Sequence, residues 1–144
     1  MKKLFVSITN IDVPAARFHI TLLFFRIAVA LELMLAHGLK KIGVGVAEAE
    51  KVPNPFHLPD AFNQLFAEAS NLFFPVFVIL GLFTRLAVLP VLAVTLVGYF
   101  VVHLHDPILE KDMPFMYSVA YLLLLSFGPG KYSIDYLINK KLRQ

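Results

Sequence analysis

Ionisable side chains interrupt otherwise apolar stretches of the chain at six positions: Arg26, Glu32, His37, Glu68, Tyr99 and His103. An arginine and a glutamate in hydrocarbon can pair with each other or hold a polar head group. Histidine exchanges protons near neutral pH, and a tyrosine hydroxyl donates a hydrogen bond. If the stretches that carry them lie in a membrane, these residue types predict a site for a polar ligand or for proton transfer.

The composition predicts a membrane environment. The chain is 58% hydrophobic and 16% charged, with a mean hydropathy of +0.73, which is too apolar for a soluble domain. We therefore expect an integral protein whose main partner is the lipid bilayer. The net charge of +3 is typical of basic loops in such proteins, so no nucleic-acid partner is expected. The chain has no cysteine, which excludes disulfides and thiolate metal sites within it.

Apolar runs and helix-breaking residues predict an all-α protein. We expect a transmembrane four-helix bundle with short interfacial segments, which forms a single domain over residues 1–144. The expected spans are about 18–37, 62–84, 86–104 and 113–128. "GLFTR" predicts a tight turn between the second and third spans, and "GPGK" ends the fourth. The tail "YSIDYLINKKLRQ" predicts an amphipathic interfacial helix. Asp12 and Pro14 follow the basic start before any long apolar run, so no cleaved signal peptide is expected.

The distribution of basic residues predicts the orientation. Four spans place both termini on one side, together with Lys2, Lys3, Arg17, Arg85, Lys131, Lys140, Lys141 and Arg143. The other side holds Lys40, Lys41, Lys51 and Lys111. Because cytoplasmic loops carry the excess of basic residues, both termini are predicted to be cytoplasmic, in a bacterial cytoplasmic (inner) membrane.

Helix geometry predicts one pocket in the outer half of the bundle. At about 1.5 Å per residue, Glu32 of the first span and Glu68 of the second lie at a similar depth. An outward-extended Arg26 would approach Glu68, so we expect these two side chains to pair. The predicted ligand-binding residues are Arg26, His37, Glu68, Tyr99 and His103.

A structural interpretation competes with this site. The Arg26–Glu68 pair could simply hold two helices together, because either charge alone would cost several kcal/mol in hydrocarbon. Glu32 lies roughly 120° around the helix from Arg26 and would face a neighbouring subunit or extend outward to water. The histidines lack the spacing of a metal motif, so no metal site is predicted. Phosphate-loop, nucleophile-elbow and dinucleotide motifs are also missing, so chemistry would need a diffusible cofactor or a partner.

Several short stretches resemble the DoxX family of small four-helix membrane proteins. They are Arg26 in the first span, "HGLKKI" at its end, "LGLFTRLA" after Glu68, and "FGPGKYSIDYL" after the last span. The resemblance extends from about Phe18 to Leu137, with "GPGKYSID" as its most specific element. It implies a link to quinone-coupled oxidation of sulfur compounds and to membrane oxidoreductase complexes that handle oxidative stress. Two features depart from the family pattern: Glu32 has no match in it, and the first loop, with "NPFHLP", is interpreted as an elaboration.

Two functions follow. In the first, the protein is a membrane component of a quinone-linked oxidoreductase system, as one of its subunits. Its pocket then holds a quinone without covalent attachment. Arg26 would polarise a ring carbonyl and keep Glu68 ionised, while His37 or His103 exchanges protons with the outer face. In the second, the protein is a non-catalytic accessory subunit or small-molecule carrier whose buried charges are structural. The sequence leaves both open, together with the oligomeric state.

Overall fold

The structure is a computed structural model that describes residues 11–144. These residues form helices and connecting loops, without strands. Lys2 and Lys3, which enter the orientation argument, lie outside the described residues. The prediction of an all-α protein is therefore confirmed for the part of the chain that the structure describes.

Three helices are long and apolar enough to cross a membrane: α1 (Ala15–Lys41), α2 (Asp60–Leu80) and α3 (Thr84–Val102). A shorter apolar helix, α4 (Asp112–Phe127), has 16 residues. At 1.5 Å per residue it is about 24 Å long, less than a hydrocarbon core of about 30 Å. The last helix, α5 (Ile134–Leu142), carries Lys140 and Lys141 in its final turn. All five lie where the sequence predicted helical segments.

Proline and glycine set the helix boundaries. Pro14 and Pro59 immediately precede α1 and α2, where a missing backbone N–H costs little. Gly81 ends α2 with a left-handed φ of 67°, a conformation that glycine adopts without steric cost. Gly128 ends α4 with φ 73°. The turn predicted at "GLFTR" and the helix end predicted at "GPGK" are both confirmed.

Neighbouring helices pack side by side around an apolar core. α1 packs on α2, α2 on α3 and α3 on α4, while α4 also contacts α1. The core includes Leu22, Val78, Val88, Val91 and Leu124. Many large apolar side chains remain on the outer surface, among them Phe24, Leu89 and Leu122. An outer surface of this kind suits lipid rather than water.

Three of the helices contain π-helical segments that the sequence did not predict. They are Leu33–Gly38 in α1, Ala69–Phe73 in α2 and Gly98–Val102 in α3. π-Helical turns are rare and occur frequently at functional sites. The segments of α1 and α2 meet at Gly38, where an added Cβ would lie 2.5 Å from Leu72 Cδ2. Glycine therefore allows this close approach.

The helices define two ends of the molecule. The loop end carries the connections 42–59 and 103–111, and the tail end carries the turn 81–83 and residues 128–142. The candidate cavity lies at the loop end, whereas the motif "GPGKYSID" lies at the tail end.

Candidate ligand cavity and the tail cluster

A cavity of about 760 Å³ opens between the helices at the loop end. Residues of α1, α2, α3 and α4 line it, together with residues of the 42–59 loop. Most of its wall is apolar and includes Leu33, Phe62, Phe66, Val94, Val97 and Met113. Its volume and apolar lining are those of a small-molecule site.

The "NPFHLP" loop forms a folded cover for this cavity. Pro55, Phe56 and Leu58 line it. Asn54 organises the loop: its Oδ1 accepts a hydrogen bond from Leu58 N at 3.0 Å, and its Nδ2 donates to Leu58 O at 2.6 Å. Gln64 of α2 holds the preceding residues by accepting from Val52 N at 3.2 Å. The loop is thus part of the cavity wall.

The inner wall of the cavity is polar. His37 Nε2, Asn71 Oδ1 and Tyr117 Oη are buried and have no hydrogen-bond partner among the described residues. All three residues line the cavity, and the rings of His37 and Tyr117 meet edge to face at 5.3 Å. A buried polar atom without a partner costs about 1–3 kcal/mol. A molecule with hydrogen-bonding groups at this wall would remove that cost.

Charged groups surround the mouth of the cavity. His103 lines it and places Nδ1 2.7 Å from Asp106 Oδ2. Lys41 and Glu50 pair at 3.2 Å and also line it. A histidine held by a carboxylate can pass protons between a cavity and the solvent. The mouth therefore combines a fixed ion pair with a group that can exchange protons.

The structure separates the five predicted ligand-binding residues. His37 and His103 line the cavity. Glu68 is half-buried beside it, and its carboxylate accepts a hydrogen bond from Gln64 Nε2 at 2.8 Å. The ring of Tyr99 packs on Phe115 at 5.6 Å, outside the cavity lining. Arg26 lies towards the tail end and does not line the cavity.

The predicted pairing of Arg26 with Glu68 is wrong. Arg26 is 1% exposed, and its guanidinium donates to the carbonyl oxygens of Ile79 at 3.2 Å, Tyr132 at 2.9 Å and Pro129. Helical side chains lean towards the N-terminus of their own helix. Arg26 therefore reaches towards the start of α1 at the tail end, whereas Glu68 lies near the loop end.

The guanidinium joins a group of residues that we call the tail cluster: Arg26, Gly81, Thr84, Pro129, Tyr132 and Asp135. The Asp135 carboxylate accepts from Phe83 N at 2.7 Å, Thr84 N at 3.0 Å and Thr84 Oγ1 at 3.1 Å. It thereby caps the first turn of α3. Backbone groups at helix ends need partners, and hydrocarbon supplies none. In the tail cluster, Arg26 supplies donors to the end of α2 and Asp135 supplies acceptors to the start of α3.

Arg85 donates hydrogen bonds to backbone carbonyls at the end of α4, but it does so on the exposed surface. Its Nε donates to Leu125 O at 3.1 Å, and its Nη2 donates to Ser126 O at 3.4 Å. Arg85 is exposed, unlike Arg26. The stretches "GLFTR" and "GPGKYSID" thus meet at one place and satisfy the backbone there.

The profile of the DoxX family matches residues 21–104, which is more than half of the chain. The chain belongs to the DoxX family. An uncharacterized protein of Haemophilus influenzae is 33% identical over 96 residues, covering 63% of this chain and 64% of that protein. The chain thus matches less than two thirds of that relative's length. No solved structure matches the chain significantly.

Family membership and the apolar helices identify this DoxX protein as an integral membrane protein. The matched region contains Arg26, the three π-helical segments and most of the residues that line the cavity. The "FGPGKYSIDYL" stretch follows the matched region. Its contacts with Arg26 nevertheless connect it to the core of the family domain.

Two residues of the polar wall were absent from the predicted ligand-binding set of this DoxX protein, Asn71 and Tyr117. Asn71 is 3% exposed and Tyr117 is 8% exposed. An amide in the middle of an apolar span is itself a signal, because burying it without a partner is costly. The sequence does not show, however, that Asn71 lies in a π-helical segment and lines the same cavity as His37.

Proposed function

We propose that this DoxX protein binds an amphipathic molecule of the quinone class in the cavity, as a membrane component of a quinone-linked oxidoreductase system. The unpaired His37 Nε2, Asn71 Oδ1 and Tyr117 Oη at one wall of an otherwise apolar cavity support the proposal. A quinone carbonyl would accept hydrogen bonds from Tyr117 and from a protonated His37 nitrogen, and a quinol hydroxyl would donate to Asn71. The apolar ring and tail would contact the remaining wall.

Reduction of a quinone to a quinol consumes two electrons and two protons. In this proposal a partner redox protein supplies the electrons, since the chain has no cysteine pair that could supply them. His37 lies at the polar wall and His103, beside Asp106, at the mouth. The two histidines would deliver the protons from the loop-end surface.

One observation favours the alternative, a non-catalytic accessory subunit or carrier of a small molecule. The guanidinium of Arg26 is engaged by three backbone carbonyls, and Asp135 caps α3. Both charges therefore support the fold, although the second charge is Asp135 and not the Glu68 of the structural interpretation. In this alternative the cavity holds the same kind of amphipathic molecule without changing its redox state.

The binding proposal is tested with purified protein in lipid nanodiscs. Solvent extraction followed by absorbance spectroscopy identifies a co-purified quinone, and titration with a short-chain ubiquinone analogue gives a Kd. Tyr117→Phe removes one donor to the ligand and is expected to raise Kd about tenfold, equivalent to about 1.4 kcal/mol. Tyr132→Phe is the matched control, because that side chain is exposed and does not line the cavity.

An unchanged Kd in Tyr117→Phe, or no measurable binding by the unaltered protein, would refute the quinone site. A bound quinone that stays oxidised in membranes while the partner system turns over would favour the carrier. Reduction of the bound quinone only when the partner system is present would support the redox component.

We also propose that α1 to α4 all span the bacterial inner membrane as a four-helix bundle, with the tail end and both termini in the cytoplasm. Arg17, Arg85 and Lys131 at the tail end support this orientation. A reporter fused after Gln144 should be active only in the cytoplasm, and one inserted after Ala49 only outside. The reverse pattern of reporter activity would overturn the orientation.

A further inference from the structure

Glu32 lies on the outward face of α1. Phe24, Ala28, Leu31 and Leu35 share this exposed stripe with it, and the opposite side of the helix faces the core. Glu32 is exposed and makes no hydrogen bond or ion pair with any described residue. A single carboxyl group thus interrupts a face that otherwise suits lipid.

The depth of Glu32 makes this position costly. Arg17 and Lys40 bound the apolar part of α1, and Glu32 lies eight residues before Lys40, or about 12 Å along the axis. Its side chain leans towards the helix N-terminus, which takes the carboxyl group away from the loop-end surface. An unpaired carboxylate at such a depth costs several kcal/mol unless it is protonated or paired.

We propose that Glu32 is a contact for a transmembrane helix of a different protein, which presents a lysine or arginine at the depth of Glu32. Charge complementarity determines the chemistry of this partner, because a cation removes the cost of the buried carboxylate. The small side chain of Ala28, one turn away, allows a second helix to approach closely.

A second copy of this chain does not supply the cation. Copies share one orientation in the membrane, so residues at the same depth would meet and Glu32 would face an apolar surface or another carboxylate. Arg26 is buried in the tail cluster, and the exposed Arg17 and Arg85 lie at helix starts near the tail end. Lys40 and Lys41 lie about 12 Å or more closer to the loop end along α1, and Lys41 already pairs with Glu50. Glu32 itself does not line the cavity, although its carboxylate lies close enough to His37 and Tyr117 to interact with them electrostatically.

Dicyclohexylcarbodiimide, an apolar reagent that adds to protonated carboxyl groups in membranes, tests the proposal. A Glu32 that faces lipid is open to the reagent and reacts, whereas a Glu32 that is ion-paired and covered by a partner helix reacts slowly. The rate of adduct formation is measured by peptide mass spectrometry, both in native membranes and in vesicles of the purified protein. We expect labelling of Glu32 to be at least about tenfold slower in native membranes, the effect of about 1.4 kcal/mol of protection.

The control variant combines Glu32→Gln with Leu122→Glu, which moves the carboxyl group to an exposed position of α4 at a similar distance from the loop end. The labelling rate of the glutamate introduced at position 122 is the reference for a lipid-facing acid in each membrane. The labelling rate of Glu32 in the unaltered protein is divided by this reference rate. Equal relative rates in native membranes and purified vesicles would overturn the proposal. Protection of Glu32 in purified vesicles would also overturn it, because the cover would then come from this chain or from a second copy.

Discussion

Replacing Arg26 with methionine should be among the most damaging single changes in this protein. Methionine keeps most of the volume of the side chain but removes the donors to the carbonyls of Ile79, Pro129 and Tyr132. Three charge-assisted hydrogen bonds at about 1.5–3 kcal/mol each give a gross loss of about 5–9 kcal/mol. The variant no longer buries a guanidinium, which returns several kcal/mol. We expect a net loss of about 3–5 kcal/mol in the free energy of unfolding.

Arg85→Met is the matched control for this prediction. Arg85 also donates to two carbonyls at a helix end, but it is exposed, so water replaces the lost donors and the cost should be below about 1 kcal/mol. The chain has no tryptophan, so unfolding is followed by far-ultraviolet circular dichroism during titration of detergent micelles with dodecyl sulfate. Equal losses for the two variants would refute the assignment of Arg26 as the donor to buried helix ends.

The double variant Arg26→Met with Glu68→Leu tests whether these two side chains interact. Arg26 and Glu68 share no contact among the described residues, so their effects on the free energy of unfolding should add within about 0.5 kcal/mol. Rescue of Arg26→Met by Glu68→Leu would show that the two side chains are coupled, as the sequence first suggested.

Three further predictions concern the stability of the helix ends and the cavity, and each is measured by the same titration. Asp135→Ala should cost about 1–2 kcal/mol, because the first turn of α3 loses its capping carboxylate; an unchanged stability would show that water caps this turn. Gly81→Ala should cost about 1–3 kcal/mol more stability than Gly45→Ala. Both glycines have positive φ, but only at Gly81 would the new Cβ meet other atoms at 2.5–2.6 Å. Equal costs for the two variants would contradict the packing described for the tail cluster. Asn71→Leu should stabilise the protein without ligand by about 1–3 kcal/mol, because it removes a buried amide oxygen that has no partner. The same variant should no longer be stabilised by an added quinone. A destabilised variant would mean that Asn71 is already hydrogen-bonded without a ligand.

The sequence predicted the helices well because their signals are local. Proline before α1 and α2, glycine after α2 and α4, and long apolar runs each act over a few residues. The direction of the Arg26 side chain was predicted wrongly, because depth along the axis was considered without the lean of the side chain towards the helix N-terminus. Its true acceptors are backbone carbonyls, which every residue carries and which sequence patterns therefore do not mark.

The cavity was predicted less completely than the helices. His37 and His103 line it as titratable groups near helix ends, and both belong to the predicted ligand-binding set. The contributions of Asn71 and Tyr117 depend on the π-helical segments and on the register between α1 and α4, which tertiary packing determines. The cover formed by the "NPFHLP" loop depends on hydrogen bonds from Asn54 and Gln64 that no helical periodicity reveals.

The tail cluster also sets an order of events during synthesis. Arg26 is separated from its acceptors Pro129 and Tyr132 by 103 and 106 residues. A growing chain therefore holds the guanidinium without these partners until almost all of the protein has been made. Chains that end before Pro129 would keep an unsatisfied arginine in the membrane, a feature by which cellular proteases that survey membranes could tell incomplete copies from finished ones.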